Sequence, residues 1–242
     1  MTQASVKLIA FDLDGTLSQH RSTPPPESFA LLDELSKDCR LLMVGAAACE
    51  RIHRQMNHYP IDIIGNYGMQ TARFNRQAGC LELVDSSSVP ADREAALRHA
   101  QELRRMYGWE DYTGDTIEFH PSGMLTFPLL GTKAAIEDKL AADPTRKIRQ
   151  TALDEVRQRF TGYTVFVGGS SSFDIVPLPY RKSFALINFA NRNGIGLDEV
   201  LYAGDDYGPG GNDEDVYASG IRFVRVDDYR HVGDLLRAAL SC

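Results

Sequence analysis

Asp12 and Asp14 stand two residues apart in Phe11-Asp12-Leu13-Asp14-Gly15-Thr16-Leu17, directly after the apolar run Val6, Leu8, Ile9 and Ala10. Side chains at i and i+2 of an extended strand share a face, so a continuing strand would bring the two carboxylates together. Two nearby carboxylates repel, and a site tolerates them by keeping one protonated or by adding a cation, of which Mg²⁺ best suits oxygen ligands. Either arrangement serves phosphoryl chemistry: one carboxylate attacks phosphorus and becomes an acyl phosphate, while the other carries a proton to or from the reacting oxygen. Taken alone, the same string also reads as an Asp-Gly turn after a buried strand.

Further along, Gly204-Asp205-Asp206 follows the apolar run Val200 to Ala203, and Pro209-Gly210-Gly211-Asn212-Asp213 forms a tight polar loop. Asp205 and Asp206 would add carboxylate oxygens for a metal, and Asn212 and Asp213 would face metal or phosphate. Lys182 offers the fixed cation that phosphoryl transfer needs against charge developing on the equatorial oxygens. An isolated lysine is most often solvated surface. Its place at an expected domain junction argues for more.

These groups meet only if the elements carrying them lie side by side. Phe29, Leu32 and Leu35 recur at helical spacing within Glu27 to Lys37, and Arg40 to Val44 is a short apolar run, giving strand, helix, strand. Gly45-Ala46-Ala47-Ala48 is expected to open a second helix running to Met56, before a strand at Ile61 to Ile64. A parallel sheet with crossover helices follows, and such sheets bind ligands off the carboxyl ends of their strands, where Asp12 and Asp14 fall. From Asn66 onward the pattern turns antiparallel, with hairpins expected at Met69 to Val84 and Thr116 to Phe127. Helices are expected at Ala91 to Tyr107, Thr132 to Ala141 and Thr145 to Phe160, then strands at Tyr163 to Val167 and Phe173 to Val176. The fold class is therefore α/β, a Rossmann-like parallel-sheet core in two pieces, 1–84 and 179–242, with an α+β cap inserted at 85–178 as a lid.

Composition narrows the partners. At 242 residues, with 43% apolar and 24% charged side chains, the chain suits a globular protein with an ample core. A net charge of -7 offers no basic excess for nucleic acid or an anionic membrane, while a small anionic ligand such as a phosphorylated metabolite stays open. Four scattered cysteines form neither a zinc motif nor a disulfide framework, and no apolar run reaches membrane length, so a cytoplasmic setting is expected. Monomer and homodimer are both open.

The motif at 11 to 17, Gly-Gly-Ser-Ser-Ser-Phe-Asp-Ile-Val-Pro at 168 to 177, Lys182, and Gly-Asp-Asp-Tyr-Gly-Pro-Gly-Gly-Asn-Asp at 204 to 213 together resemble the haloacid dehalogenase superfamily, most closely its eukaryotic-type phosphomannomutase branch with a type IIB cap. That resemblance implies Asp12 as nucleophile, Asp14 as general acid/base, and Mg²⁺ bound through Asp205 and partly through the Asp14 main-chain carbonyl. It also implies substrate contacts from Arg21, Ser172 and Asp174. Two departures stand out. Ala47 occupies the position of the superfamily's phosphoryl-binding Ser or Thr, and His120, Thr132 and Lys139 occupy those of the cap arginines that grip a distal phosphate. With that grip weakened, the expectation put first is a Mg²⁺-dependent phosphatase acting on a sugar phosphate through an aspartyl-phosphate. The alternatives are a hexose-phosphate mutase of the phosphomannomutase type and a binding module of the same fold with weakened catalysis.

Overall fold

The computed structural model describes residues 4–241. In chain order the strands are β1 (Leu8–Phe11), β2 (Arg40–Val44), β3 (Asp62–Gly65), β4 (Gln70–Asn75), β5 (Cys80–Ser86), β6 (Glu118–Phe119), β7 (Leu125–Pro128), β8 (Tyr163–Gly168), β9 (Ser172–Pro177), β10 (Val200–Gly204) and β11 (Arg222–Arg225). The α-helices are α1 (Pro26–Leu35), α2 (Cys49–Gln55), α3 (Arg93–Tyr107), α4 (Ile136–Ala142), α5 (Lys147–Arg159), α6 (Lys182–Arg192), α7 (Glu214–Ala218) and α8 (Val232–Leu240). Two compact units result: residues 4–86, 181–208 and 213–241 form one, and residues 87–180 with 209–212 form the other.

The first unit is a seven-stranded sheet in the order β11-β10-β1-β2-β3-β4-β5, parallel from β11 to β3 and closed by the antiparallel β4 and β5. All four residues of β1 are fully buried, because helices cover both faces of a central parallel strand. Ile9 and Phe11 join a layer with Leu31, Leu32, Ile52 and Leu236, from α1, α2 and α8. Leu8 and Ala10 join Leu186, Phe189 and Val216, from α6 and α7. The chain leaves β1 toward β2 and β3 and returns on the other side to β10, so strand order reverses between β1 and β10. The register pairs Phe11 with both Met43 and Ala203, which sets Asp12 and the residues just after Ala203 at one carboxyl edge.

The chain departs from the sequence reading by two residues at the starts of α3 and α5 and by four at those of α2 and α4. Residues 45–48 are not helical: the Ala47 carbonyl accepts the Asn66 N–H at 2.8 Å, Ala48 is extended, and α2 begins only at Cys49. Likewise 132–135 stay outside α4, because Thr132 pairs with Asp115 through its backbone N–H (3.1 Å) and its side chain, whose Oγ1 accepts the Asp115 N–H at 2.8 Å. These bonds between distant segments hold the backbone out of the helix ladder.

The second unit is a four-stranded antiparallel sheet, β6-β7-β9-β8, with one buried layer shared by Ala100 and Leu103 of α3, Ala152 and Val156 of α5, and Phe127, Val165, Phe173 and Ile175 of the strands. Two arginines are buried within it. Arg104 donates to the carbonyls of Trp109, Pro128 and Leu129, each at 2.7 Å. Arg149 pairs with buried Asp143 at 2.8 Å and donates to the carbonyls of Gly168, Gly169, Ser170 and Ser172. The guanidinium thus fills a ring of backbone acceptors and fixes the β8–β9 turn. Each of those carbonyls would otherwise need its own partner away from water.

Candidate active site

Three carboxylates from three separate segments meet at the carboxyl edge of the parallel sheet. One oxygen each of Asp12, Asp205 and Asp213 lie within 4.8 Å of one another. Asp12 follows β1 and Asp205 follows β10, each delivered where the chain leaves a buried strand, while Asp213 comes from the loop that enters α7. Lys182, fully buried at the first position of α6, donates to Asp12 Oδ1 and to Asp213 Oδ1, both at 2.8 Å. Burial works against the ammonium, but the two carboxylates outweigh it and hold Lys182 protonated.

Around this centre other groups fix the acids. Thr16 Oγ1 donates to Asp205 Oδ1 at 3.2 Å, and Tyr202 Oη donates to Asp213 Oδ1 at 2.5 Å. Burial first, then the charge of Asp213, keep the Tyr202 phenol in its donor form. The Asp206 N–H donates to Asp213 Oδ2 at 3.1 Å while the Asp206 carbonyl accepts the Asp213 N–H at 3.0 Å, closing the acidic loop on itself. Gly15 is essential to the packing. Its φ is +91°, and a Cβ there would lie 2.2 Å from Asp205 Oδ2.

Asp14 and Asp206, both expected among the metal carboxylates, do not enter the cluster. Asp14 turns away because the chain bends after β1: its Oδ1 accepts the Arg21 N–H at 2.7 Å and the Gln55 side-chain amide at 2.6 Å. Arg21 itself is exposed, with a left-handed backbone at φ 60°. In the second unit, Ser172 Oγ donates to the Gly168 carbonyl at 3.1 Å, and the Asp174 carboxylate packs where a Cβ on Gly168 would stand, 2.4 Å from Asp174 Cγ. His120 is joined to Thr126 Oγ1 at 2.9 Å, and Lys139 Nζ donates to the Thr132 carbonyl at 3.2 Å. Asn212 lies in the 209–212 segment that packs with this unit, where the Gly210 carbonyl accepts the Val167 N–H at 2.8 Å.

Thr16, Gln55 and Tyr202 were not anticipated from sequence. Thr16 sits inside the quoted motif and could have been read as a second hydroxyl donor. Nothing local marks the other two. A cavity of about 450 Å³, lined in part by Arg40, Tyr59, Asp62 and Arg73, opens where β2 and β3 begin and so lies at the other edge of the sheet from the acids.

Three hard oxygen donors beside a glycine that clears space for one of them fit a divalent cation such as Mg²⁺. Without a cation, burial holds Asp12 and Asp205 toward their protonated forms. Burial and then Asp213 push Asp205 up to about 6, against an ordinary value of 3.8. A folded-state value above the unfolded one stabilises at low pH, and that contribution is lost as pH rises through the folded value. Metal-free protein is therefore expected to lose stability between about pH 4 and pH 6. Added Mg²⁺ is expected to raise Tm more at about pH 7.5 than at about pH 5, because it replaces the protons the site must shed. Melting curves across pH with Mg²⁺ or a chelator check this.

The fold and the acid cluster point to one class of enzyme, and similarity to known proteins agrees. Solved structures of the same fold include an IMP-nucleotidase of Plasmodium falciparum (TM-score 0.68, 13% identity, covering 98% of this chain and 69% of that one) and a haloacid dehalogenase-like hydrolase of Bacteroides thetaiotaomicron (TM-score 0.55, 15% identity, 97% and 100%). The chain is thus similar to enzymes of the haloacid dehalogenase phosphotransferase class.

Sequence similarity narrows this further. A family model described as eukaryotic phosphomannomutase matches residues 110–227. A probable phosphomannomutase of Caenorhabditis elegans is 25% identical over 231 residues, covering 89% of this chain and 87% of its own length, and the phosphomannomutase of Nicotiana benthamiana is 27% identical over 233 residues, covering 86% and 84%. Within its class the chain is phosphomannomutase-like.

Proposed function

We propose that this enzyme moves the phosphoryl group of a hexose phosphate by way of an aspartyl-phosphate on Asp12, as a phosphomutase of the phosphomannomutase type. The supporting observation is the buried Lys182 shared by Asp12 and Asp213 beside Asp205, in a chain whose near-full-length relatives are phosphomannomutases. The relatives favour the mutase over the phosphatase that the sequence alone put first.

In this reading an Asp12 oxygen attacks phosphorus and the bond to the sugar oxygen breaks, while the Asp14 carboxyl gives that oxygen its proton. A second acceptor then attacks the aspartyl-phosphate, loses its proton to Asp14 and frees Asp12. Asp12, Asp205 and Asp213, with the Asp14 main-chain carbonyl, would hold Mg²⁺, which when bound neutralises charge on the phosphoryl oxygens. Lys182 opposes the burial that pushes the Asp12 carboxyl toward its protonated form, and it adds a fixed positive charge beside the nucleophile. Ser172 and Asp174 hold sugar hydroxyls, Arg21 and Asn212 contact substrate, and His120 and Lys139 supply what remains of the distal phosphate grip.

A phosphatase reading has one observation in its favour: His120 and Lys139 are already engaged by Thr126 and the Thr132 carbonyl, and among the described residues no arginine fork stands in for them. Mannose 1-phosphate, with and without a hexose 1,6-bisphosphate, separates the two. The 6-phosphate isomer is expected in the presence of the bisphosphate, whereas inorganic phosphate with no isomer overturns the mutase.

Ala47 yields a separate prediction. A hydrogen bond to a charged group contributes ~1.5–3 kcal/mol, and if it acts in the transition state that corresponds to roughly 10–100-fold in rate. Ala47→Ser is therefore expected to raise kcat by about tenfold or more with little change in KM, as steady-state kinetics on the same substrate would show.

A further inference from the structure

Asp14 reaches its surroundings in an asymmetric way. Oδ1 accepts two hydrogen bonds, from the Arg21 backbone N–H at 2.7 Å and from Gln55 Nε2 at 2.6 Å, whereas no hydrogen bond to Oδ2 is present among the described residues. Gln55 also donates to the Ser22 carbonyl at 3.0 Å. A carbonyl only accepts, so the amide nitrogen must face both Ser22 and Asp14, and the side-chain orientation is fixed by its partners.

Gln55 is the last residue of α2, half-buried, on a helix anchored by buried Cys49 and Ile52. It joins that helix to the loop carrying Arg21, whose Ser22 is itself tied back to the Gln19 carbonyl through both its N–H and its hydroxyl.

We infer that Gln55 is the positioning residue of Asp14: by clamping Oδ1 it leaves Oδ2 as the oxygen that carries and exchanges the proton. The chemistry is simple. Both donors to Oδ1 are N–H groups that cannot accept, so a proton on Oδ1 would find no acceptor there and would weaken both bonds. The acid form therefore carries its hydrogen on Oδ2, aimed away from the clamp. When the substrate P–O bond breaks, the Oδ2–H bond breaks with it, the proton passes to the departing oxygen, and the pair of electrons stays on a carboxylate whose Oδ1 already holds two donors. The same two bonds stabilise that anion until the next acceptor returns a proton to Oδ2. The inference rests on Asp14 acting as the general acid/base in the proposed reaction.

Leaving-group dependence tests it. Mannose leaves from its 1-phosphate as a strong base that needs a proton, whereas p-nitrophenolate leaves without one. For Gln55→Leu, rapid-quench release of mannose from mannose 1-phosphate is expected to slow about tenfold or more, while the burst of p-nitrophenolate slows less than about threefold and KM stays within about twofold. Gln55→Glu, nearly the same shape with an acceptor in place of the donor, is expected to show the same selectivity, which keeps the test open if the leucine variant folds poorly. Equal slowing of both substrates means a merely structural role, and no slowing means no role; either overturns the assignment. Asp14→Asn run in parallel locates the fault. If it too shows no leaving-group selectivity, the general acid/base reading of Asp14 fails and Gln55 falls with it. If it alone shows the selectivity, only the Gln55 assignment fails.

Discussion

Asp12→Asn is expected to lower turnover of every phosphate ester by at least about four orders of magnitude while leaving the fold intact, because it removes the attacking atom at almost unchanged shape. The substitution keeps an oxygen that accepts from Lys182 Nζ, now at 2.8 Å from Asp12 Oδ1, so the buried ammonium retains a partner. It also removes one of three crowded acids. Burial first, with Asp213 and Asp205 adding to it and Lys182 opposing, pushes the Asp12 carboxyl well up. Neutralising it should therefore leave metal-free stability equal or higher. The paired readout is a melting temperature at or above that of the parent and no acid-stable phosphoenzyme after mixing with labelled substrate. Residual turnover above about one part in a thousand would mean that another group forms the covalent intermediate, or that none forms.

The acids were readable in sequence for a topological reason. Asp12 and Asp205 each end an apolar run short enough to be a buried parallel strand, and in a parallel sheet all such ends face one edge, so chain order alone brings together residues 193 positions apart. Pro209-Gly210-Gly211 likewise announced a tight loop in front of Asp213. Asp14 was harder. An i, i+2 pair converges only while the strand continues, and β1 stops at Phe11, where Gly15 turns the chain and hands Asp14 to Arg21 and Gln55. Gln55 and Tyr202 carry no local signal: one ends an amphipathic helix, the other lies within an apolar strand, and only the packed fold sets them against Asp14 and Asp213. Residues 45–48 misled because three alanines have the highest helix propensity, which one backbone bond from Asn66 to Ala47 overrides.

Lys182→Met is expected to be the most destabilising substitution in the first unit. Methionine matches the stem in volume, so the loss is electrostatic: two buried carboxylates, Asp213 wholly inaccessible and Asp12 nearly so, are left without their shared cation. Breaking a buried pair from one side costs about 3–5 kcal/mol because the remaining charge stays desolvated. Here one side chain serves two acids, which puts the metal-free protein at the upper end of that range. The pH dependence carries the distinguishing sign. Without Lys182 nothing opposes burial and mutual repulsion, so the folded-state pKa of Asp12 moves further above the unfolded one. Stability is then retained at low pH, where the acids are protonated, and lost as pH rises. Denaturant unfolding should show a small difference from the parent at about pH 4 and the full difference at about pH 7.5. Mg²⁺ supplies positive charge to the same oxygens and should recover part of the stability but little of the activity, since it does not replace the fixed ammonium beside the nucleophile. A destabilisation independent of pH would show instead that Lys182 matters for packing, and that Asp12 and Asp213 are not charged together in the folded protein.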